Sequence, residues 1–190
     1  MIINDDKNFV FTCIAKTGST SIRRMLGSMD DPPPGDYHIS LSDAMTKTPQ
    51  IINYRKLAFV RNPYDRLFSC YSNFKYDGHL WEKQIKKTRD FKDFVLNLEE
   101  SNLYDNLIHL RPQFDYVQID GIVKLDFLGR FENFEQDCKK MFDYLNLNYG
   151  SKIIKTRVSS KREVKKYTTE MKDIVRRVYK NDFEVFNYEQ

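Results

Sequence analysis

The chain has 190 residues, 41% of them hydrophobic and 14% aromatic, which is enough for one domain with a real core and argues against disorder. The formal net charge is +4, so the chain as a whole is only mildly basic. Three widely spaced cysteines, Cys13, Cys70 and Cys138, exclude a disulfide framework and lack zinc-ligand spacing, and no apolar stretch approaches the roughly 18 residues of a membrane span.

In chain order, residues 9–15 (FVFTCIA) are nearly all apolar, as expected of a strand covered on both faces. Ile22, Met25, Leu26 and Met29 then fall on one face of a helix that Ser19 or Thr20 could cap. DDPPPGD, residues 30–36, breaks the chain into a loop, and a short ordered piece of open type, YHISLSDAMTK, follows. Leu57 to Val60 reads as a second buried strand. Asn62 and Pro63 start a helix whose apolar face is Leu67, Cys70, Tyr71 and Phe74. A polar excursion leads to a helix opened by Asp90, with Phe91, Phe94, Val95 and Leu98 on one side. HLRPQFDYVQIDG reads as short strands and LDFLGRFE, 125–132, as a further strand. Phe134, Cys138, Met141, Phe142 and Leu145 mark the next helix, and a last helix starts near Thr168. Strands alternating with helices predict an α/β fold: one domain over 1–190, a P-loop-like three-layer sandwich with a mostly parallel central sheet flanked by helices.

Two stretches carry chemistry. In FVFTCIAKTGSTSIRRML, 9–26, a strand hands over to a helix through a small-residue loop. Backbone N–H groups left unpaired at such a helix start suit an anion. Gly18 permits close approach, Thr17, Ser19, Thr20 and Ser21 add hydroxyls, and Lys16 adds a compact positive charge. The alternative is an ordinary capped helix. The nucleotide-triphosphate pattern G-x-x-x-x-G-K-[ST] is absent. In LAFVRNPYDRLFSCY, 57–71, Arg61 ends a strand on the side where α/β sheets bind ligands, and Ser69 lies about two turns into the next helix. A guanidinium and a hydroxyl there could converge on one phosphate. Arg66, on the same helix, could instead form a structural salt bridge.

AKTGSTS followed by FVRNPYDRLFSCY resembles the paired nucleotide-binding signatures of sulfotransferases, and in particular the carbohydrate sulfotransferase family with the chondroitin, dermatan, HNK-1 and uronyl 2-O enzymes. YHIS (37–40), HLRPQ (109–113), FLGRFENFEQD (127–137) and the C-terminal YTTEMKDIVRRVYKNDFEVFNY (167–188) follow in the family's order. The resemblance implies 3′-phosphoadenosine 5′-phosphosulfate (PAPS) as donor, 3′,5′-ADP as product and no metal. It assigns Lys16, Thr17, Gly18, Ser19, Thr20 and Ser21 to the 5′-phosphosulfate, and Arg61 and Ser69 to the 3′-phosphate. It also gives Ser159, Lys161 and Arg162, in the basic loop before the last helix, contacts to the nucleotide. The acceptor would be a hydroxyl, in this family a carbohydrate's. Its proton needs a base, and the chain has three histidines. His38 matches the family's position, His109 is the runner-up, and His79 reads as a surface residue. Lys16 would offset charge developing on the bridging oxygen.

Other classes stay open at this level: a non-catalytic nucleotide- or glycan-binding module of the same fold, a small P-loop-like kinase, and nucleic-acid binding through residues 152–180, where eleven Lys or Arg face three acids. No nucleic-acid module is recognisable, so no nucleic acid is expected as partner. MIINDDKNFV is not a signal peptide, so the expected location is cytoplasmic, or the Golgi lumen if an anchor has been trimmed away.

Overall fold

The computed structural model describes residues 1–27, 37–76, 85, 87–101, 103–149 and 164–189. Ser159, Lys161, Arg162 and His79 lie outside the described residues. In chain order the elements are β1 (Ile2–Asn4), β2 (Phe9–Thr12), α1 (Ser19–Met25), α2 (Leu41–Lys47), β3 (Arg55–Val60), α3 (Pro63–Tyr76), α4 (Phe91–Leu96), α5 (Leu103–Asn106), α6 (Gln113–Val117), β4 (Gln118–Ile119), β5 (Ile122–Val123), β6 (Phe127–Arg130), α7 (Phe134–Tyr144), α8 (Thr169–Val178) and α9 (Lys180–Val185). The class is α/β, with a mostly parallel central sheet flanked by helices. The chain divides into two compact units, Met1–Arg61 with Gln113–Thr156, and Asn62–Pro112 with Arg157–Gln190.

The first unit holds the sheet, in the order β1-β2-β3-β6. β2, β3 and β6 run parallel, and β1 is antiparallel at one edge. Side chains alternate across a strand, so the apolar run at 9–13 feeds both faces. Phe9, Phe11 and Cys13, with Leu57 and Phe59, pack against Ile22 of α1 and Cys138, Met141 and Phe142 of α7. Val10 faces the other way, onto Leu41 and Ala44 of α2 and Ile51. Gly129 of β6 is required by this packing: a Cβ there would lie 2.4 Å from the Phe59 ring.

Local signals explain most boundaries. The strand predicted over 9–15 ends at Thr12, where the Ile14 N–H turns back to the Thr12 carbonyl. The expected cap of α1 by Ser19 or Thr20 does not form, because both lie inside the helix and Gly18 takes the cap position in a left-handed conformation. The ordered piece after YHIS is helix α2, capped by Ser40, whose hydroxyl accepts the Asp43 N–H. HLRPQFDYVQIDG, expected as short strands, instead forms α6 before a two-stranded hairpin. Asp120 and Gly121, both at positive φ, make its turn, as an Asp-Gly pair favours.

The second unit is helical. Leu67, Cys70, Tyr71 and Phe74 of α3 pack with Phe91, Phe94 and Val95 of α4 and with Met171, Ile174 and Val175 of α8. Asn62 Oδ1 accepts the Tyr64 and Asp65 N–H groups at the start of α3. Asp90 and Thr168 cap α4 and α8 as their positions predict. The last helix breaks at Tyr179 into α8 and α9, a break the apolar spacing does not signal. Arg66 is buried, and its Nη2 donates to the carbonyls of His109 (3.0 Å) and Arg111 (2.8 Å), a structural contact made with backbone carbonyls. Among the described residues no helix is long and apolar enough to cross a membrane.

Candidate active site

Parallel neighbours β2 and β3 deliver two segments to the same end of the sheet, Lys16–Ser21 after β2 and Arg61 after β3. The register runs Thr12 against Ala58, so the two chains leave the sheet nearly side by side. That carboxyl end is where open α/β sheets place ligands.

The loop is tightly constrained. Lys16 has φ 66, a left-handed conformation that costs a side-chain-bearing residue about 1–2 kcal/mol. Such strain persists only where surrounding contacts over-determine it. Two are visible. The Thr17 hydroxyl donates back to the Ile14 carbonyl at 2.9 Å, and Arg61 Nη1 donates to the Lys16 carbonyl at 3.3 Å. Gly18 has φ 83, and a Cβ there would lie 2.5 Å from the Phe134 ring. Both conformation and space therefore require glycine. Its carbonyl accepts the Ser21 and Ile22 N–H groups, which starts α1. Ser19 and Ser21 are buried, whereas Lys16 and Thr20 are half-buried.

His38 is held to this loop from the other side. Its Nδ1 lies 2.5 Å from the Cys13 carbonyl oxygen. A carbonyl can only accept, so Nδ1 carries the proton and, in the neutral ring, Nε2 carries the lone pair. Tyr37 fixes the imidazole further: the two rings meet edge to face at 4.4 Å. The Tyr37 hydroxyl shares a hydrogen bond with Thr20 at 3.2 Å, and Arg23 of α1 lies over its ring at 5.1 Å. His38 is thus tied both to the end of β2 and, through Tyr37, to the first turn of α1.

Arg61 is anchored at backbone and side chain. Its N–H donates to Gln113 Oε1 and its carbonyl accepts from Gln113 Nε2, both at 2.8 Å. Its guanidinium carbon lies 4.2 Å from the centre of the Phe131 ring, a cation–π geometry. The sequence gives Gln113, Phe131 and Tyr37 no role of their own, and Phe134 only a place on a helix's apolar face. The available signal was the pair of short motifs HLRPQ and FLGRFENFEQD, which contain Gln113, Phe131 and Phe134.

Lys16, Thr17, Gly18, Ser19, Thr20, Ser21, His38 and Arg61 therefore belong to one unit and cluster around the ends of β2 and β3. Ser69, half-buried on α3, and His109 belong to the second unit. There the His109 carbonyl accepts from Arg66 and from the Cys70 thiol, and its ring packs edge-on against Phe74 at 4.9 Å. Cys13 and Cys138 are poor nucleophiles. Burial pushes the Cys13 thiol up, and burial together with the Asp137 carboxylate pushes Cys138 up to about 12.

The α/β fold thus carries a lysine-bearing, hydroxyl-rich turn between a buried parallel strand and a helix, braced by an arginine from the neighbouring strand and suited to an anion. The chain belongs to the sulfotransferase family, whose family model matches residues 1–189. No curated protein and no solved structure matches it. Transfer of a sulfuryl group is that family's general chemistry.

Proposed function

We propose that the protein transfers a sulfuryl group from PAPS to an acceptor hydroxyl, a carbohydrate's in the reading its motifs favour. The observation that carries this is the hydrogen bond from Arg61, at the end of β3, to the carbonyl of Lys16 on the strained loop after β2, which brings two cations together in a chain of the sulfotransferase family. The donor set fits the donor molecule: one ammonium, one guanidinium and several hydroxyls suit an anionic phosphosulfate. Lys16 and the Thr17–Ser21 turn hold the 5′-phosphosulfate, and Arg61 takes the 3′-phosphate. The bound donor supplies an activated sulfur that an acceptor oxygen attacks in line, with release of 3′,5′-ADP.

The chain's own residues supply positioning, charge and a proton acceptor. Lys16 offsets negative charge on the bridging oxygen as its bond to sulfur breaks, the kind of preorganised electrostatics that often dominates catalysis. His38 Nε2 takes the proton of the acceptor hydroxyl, and the Cys13 carbonyl stabilises the imidazolium through Nδ1–H. Because the imidazole must be neutral to act, turnover falls as the pH drops and it becomes protonated.

The test is transfer from labelled PAPS to a panel of hydroxylated acceptors. Lys16→Ala and His38→Ala should each lower turnover by about 100-fold or more while melting like the wild type. PAPS binding with no transfer to any acceptor would point to a binding module, and preference for ATP to a kinase. Full activity in His38→Ala with loss in His109→Ala would move the base to His109.

A further inference from the structure

Two short motifs outside the phosphate loop, HLRPQ and FLGRFENFEQD, each send one side chain to Arg61. Resting on the assignment of Arg61 to the donor's 3′-phosphate, we propose that Gln113 is a positioning residue that aims Arg61, with Phe131 as the platform for its guanidinium, and that this pair sets the enzyme's preference for a 3′-phosphorylated nucleotide.

The β3–β6 register ends with Val60 opposite Arg130. Arg61 is the next residue, the point where the ladder stops and a backbone would ordinarily be released to a loop. Gln113 takes the place of a strand partner. Its Oε1 accepts the Arg61 N–H and its Nε2 donates to the Arg61 carbonyl, so one amide satisfies both backbone groups. The ladder is in effect continued by one residue, which fixes the backbone of Arg61 and hence the direction in which its side chain departs.

Gln113 is fully buried, so both bonds are sheltered from water. Cost and effect are coupled here. A buried amide is tolerated only when satisfied, and this one is satisfied on Arg61. Past Cβ, the side chain meets a second constraint. The Phe131 ring lies 4.2 Å from Cζ, and Nη1 donates to the Lys16 carbonyl. Phe131 and Phe134 lie 5.7 Å apart, and Phe134 is the ring that abuts Gly18. One short segment thus braces both the arginine and the glycine of the loop.

A positioning role differs from a merely structural one in where its loss is felt. The discriminating experiment is a double-mutant cycle on nucleotide affinity, measured by calorimetry with 3′,5′-ADP and with 5′-AMP. Gln113→Met keeps the volume and removes both hydrogen bonds. It should weaken 3′,5′-ADP about 10-fold, leave 5′-AMP within about two-fold, and have no further effect once Arg61→Ala is present. Phe131→Leu should behave in the same way. If Gln113→Met does not fold, Gln113→Glu, which keeps the shape but loses the N–H donor, enters the same cycle.

Equal losses for both nucleotides, or losses that persist in the Arg61→Ala background, would overturn the proposal in favour of general packing. A wild type that binds 5′-AMP as well as 3′,5′-ADP, with Arg61→Ala neutral, would overturn the Arg61 assignment itself. A wild type that discriminates through Arg61 while both Gln113 variants discriminate equally well would overturn only the role given to Gln113.

Discussion

At the residue scale, Gly18 is the position where backbone and packing demands coincide. Alanine there must hold a left-handed φ, which costs about 1–2 kcal/mol, and must also displace the Phe134 ring from a 2.5 Å approach. Gly18→Ala should therefore destabilise the protein by about 2–3 kcal/mol in urea unfolding and weaken nucleotide binding in what still folds. A change below about 0.5 kcal/mol would mean that the loop is freer than its geometry implies. Glycine before a hydroxyl-rich helix start is legible in the sequence. The partner that makes it obligatory is not, because Phe134 lies more than a hundred residues further along the chain. His38 shows the same division. The residue type and its place between the two motifs are readable. Its tautomer depends on a carbonyl 25 residues away.

At the element scale, caps and amphipathic faces did most of the work. Asn62, Asp90 and Thr168 each start a helix as their side chains dictate, and the apolar spacings of α3, α4, α7 and α8 find their cores. α6 departs from its reading because QFDYV has too few residues for period two and period 3.6 to be told apart. Elements are also tied by charge. Arg177 of α8 makes a two-pronged contact with Glu99, just beyond α4, at 3.0 and 2.7 Å. That hydrogen-bonded guanidinium holds the Glu99 carboxyl below its ordinary range. A depressed folded-state pKa adds stability that is present above the unfolded value and lost as the pH falls through the folded value. Both groups are more than a third exposed, so the effect is screened and small. Glu99→Gln should lower the melting temperature by no more than about 2 °C at neutral pH and by nothing near pH 2. A deficit that persists in acid would show that the glutamine acts by something other than charge.

At the scale of the whole molecule, the three cysteines report on both units. Cys13 and Cys138 lie in the core on one face of the sheet, and Cys70 lies in the helical core of the second unit. All three are buried and free, and at least two have thiols held up by burial. Ellman's reagent at pH 8 should find no fast-reacting thiol in the native protein and three after denaturation. A rapid thiol before unfolding would mean that one of these cores opens far more readily than its packing suggests. The family match covers 1–189 and so takes in both units, and the residues carrying the proposed chemistry near β2 and β3 all lie in the first.

The sequence by itself determined the α/β class, the loop that follows the first long strand, the capped helix after Arg61, and the residues of the core. Each of these is written in neighbours a few positions apart, through periodicity, capping and turn chemistry. Tertiary structure alone decided that Arg66 donates to the carbonyls of His109 and Arg111, and that Gln113 and Phe131 both meet Arg61. It also decided which imidazole nitrogen carries the proton. These depend on contacts across 25 to 70 residues, and a single contact at that separation leaves no local pattern to read.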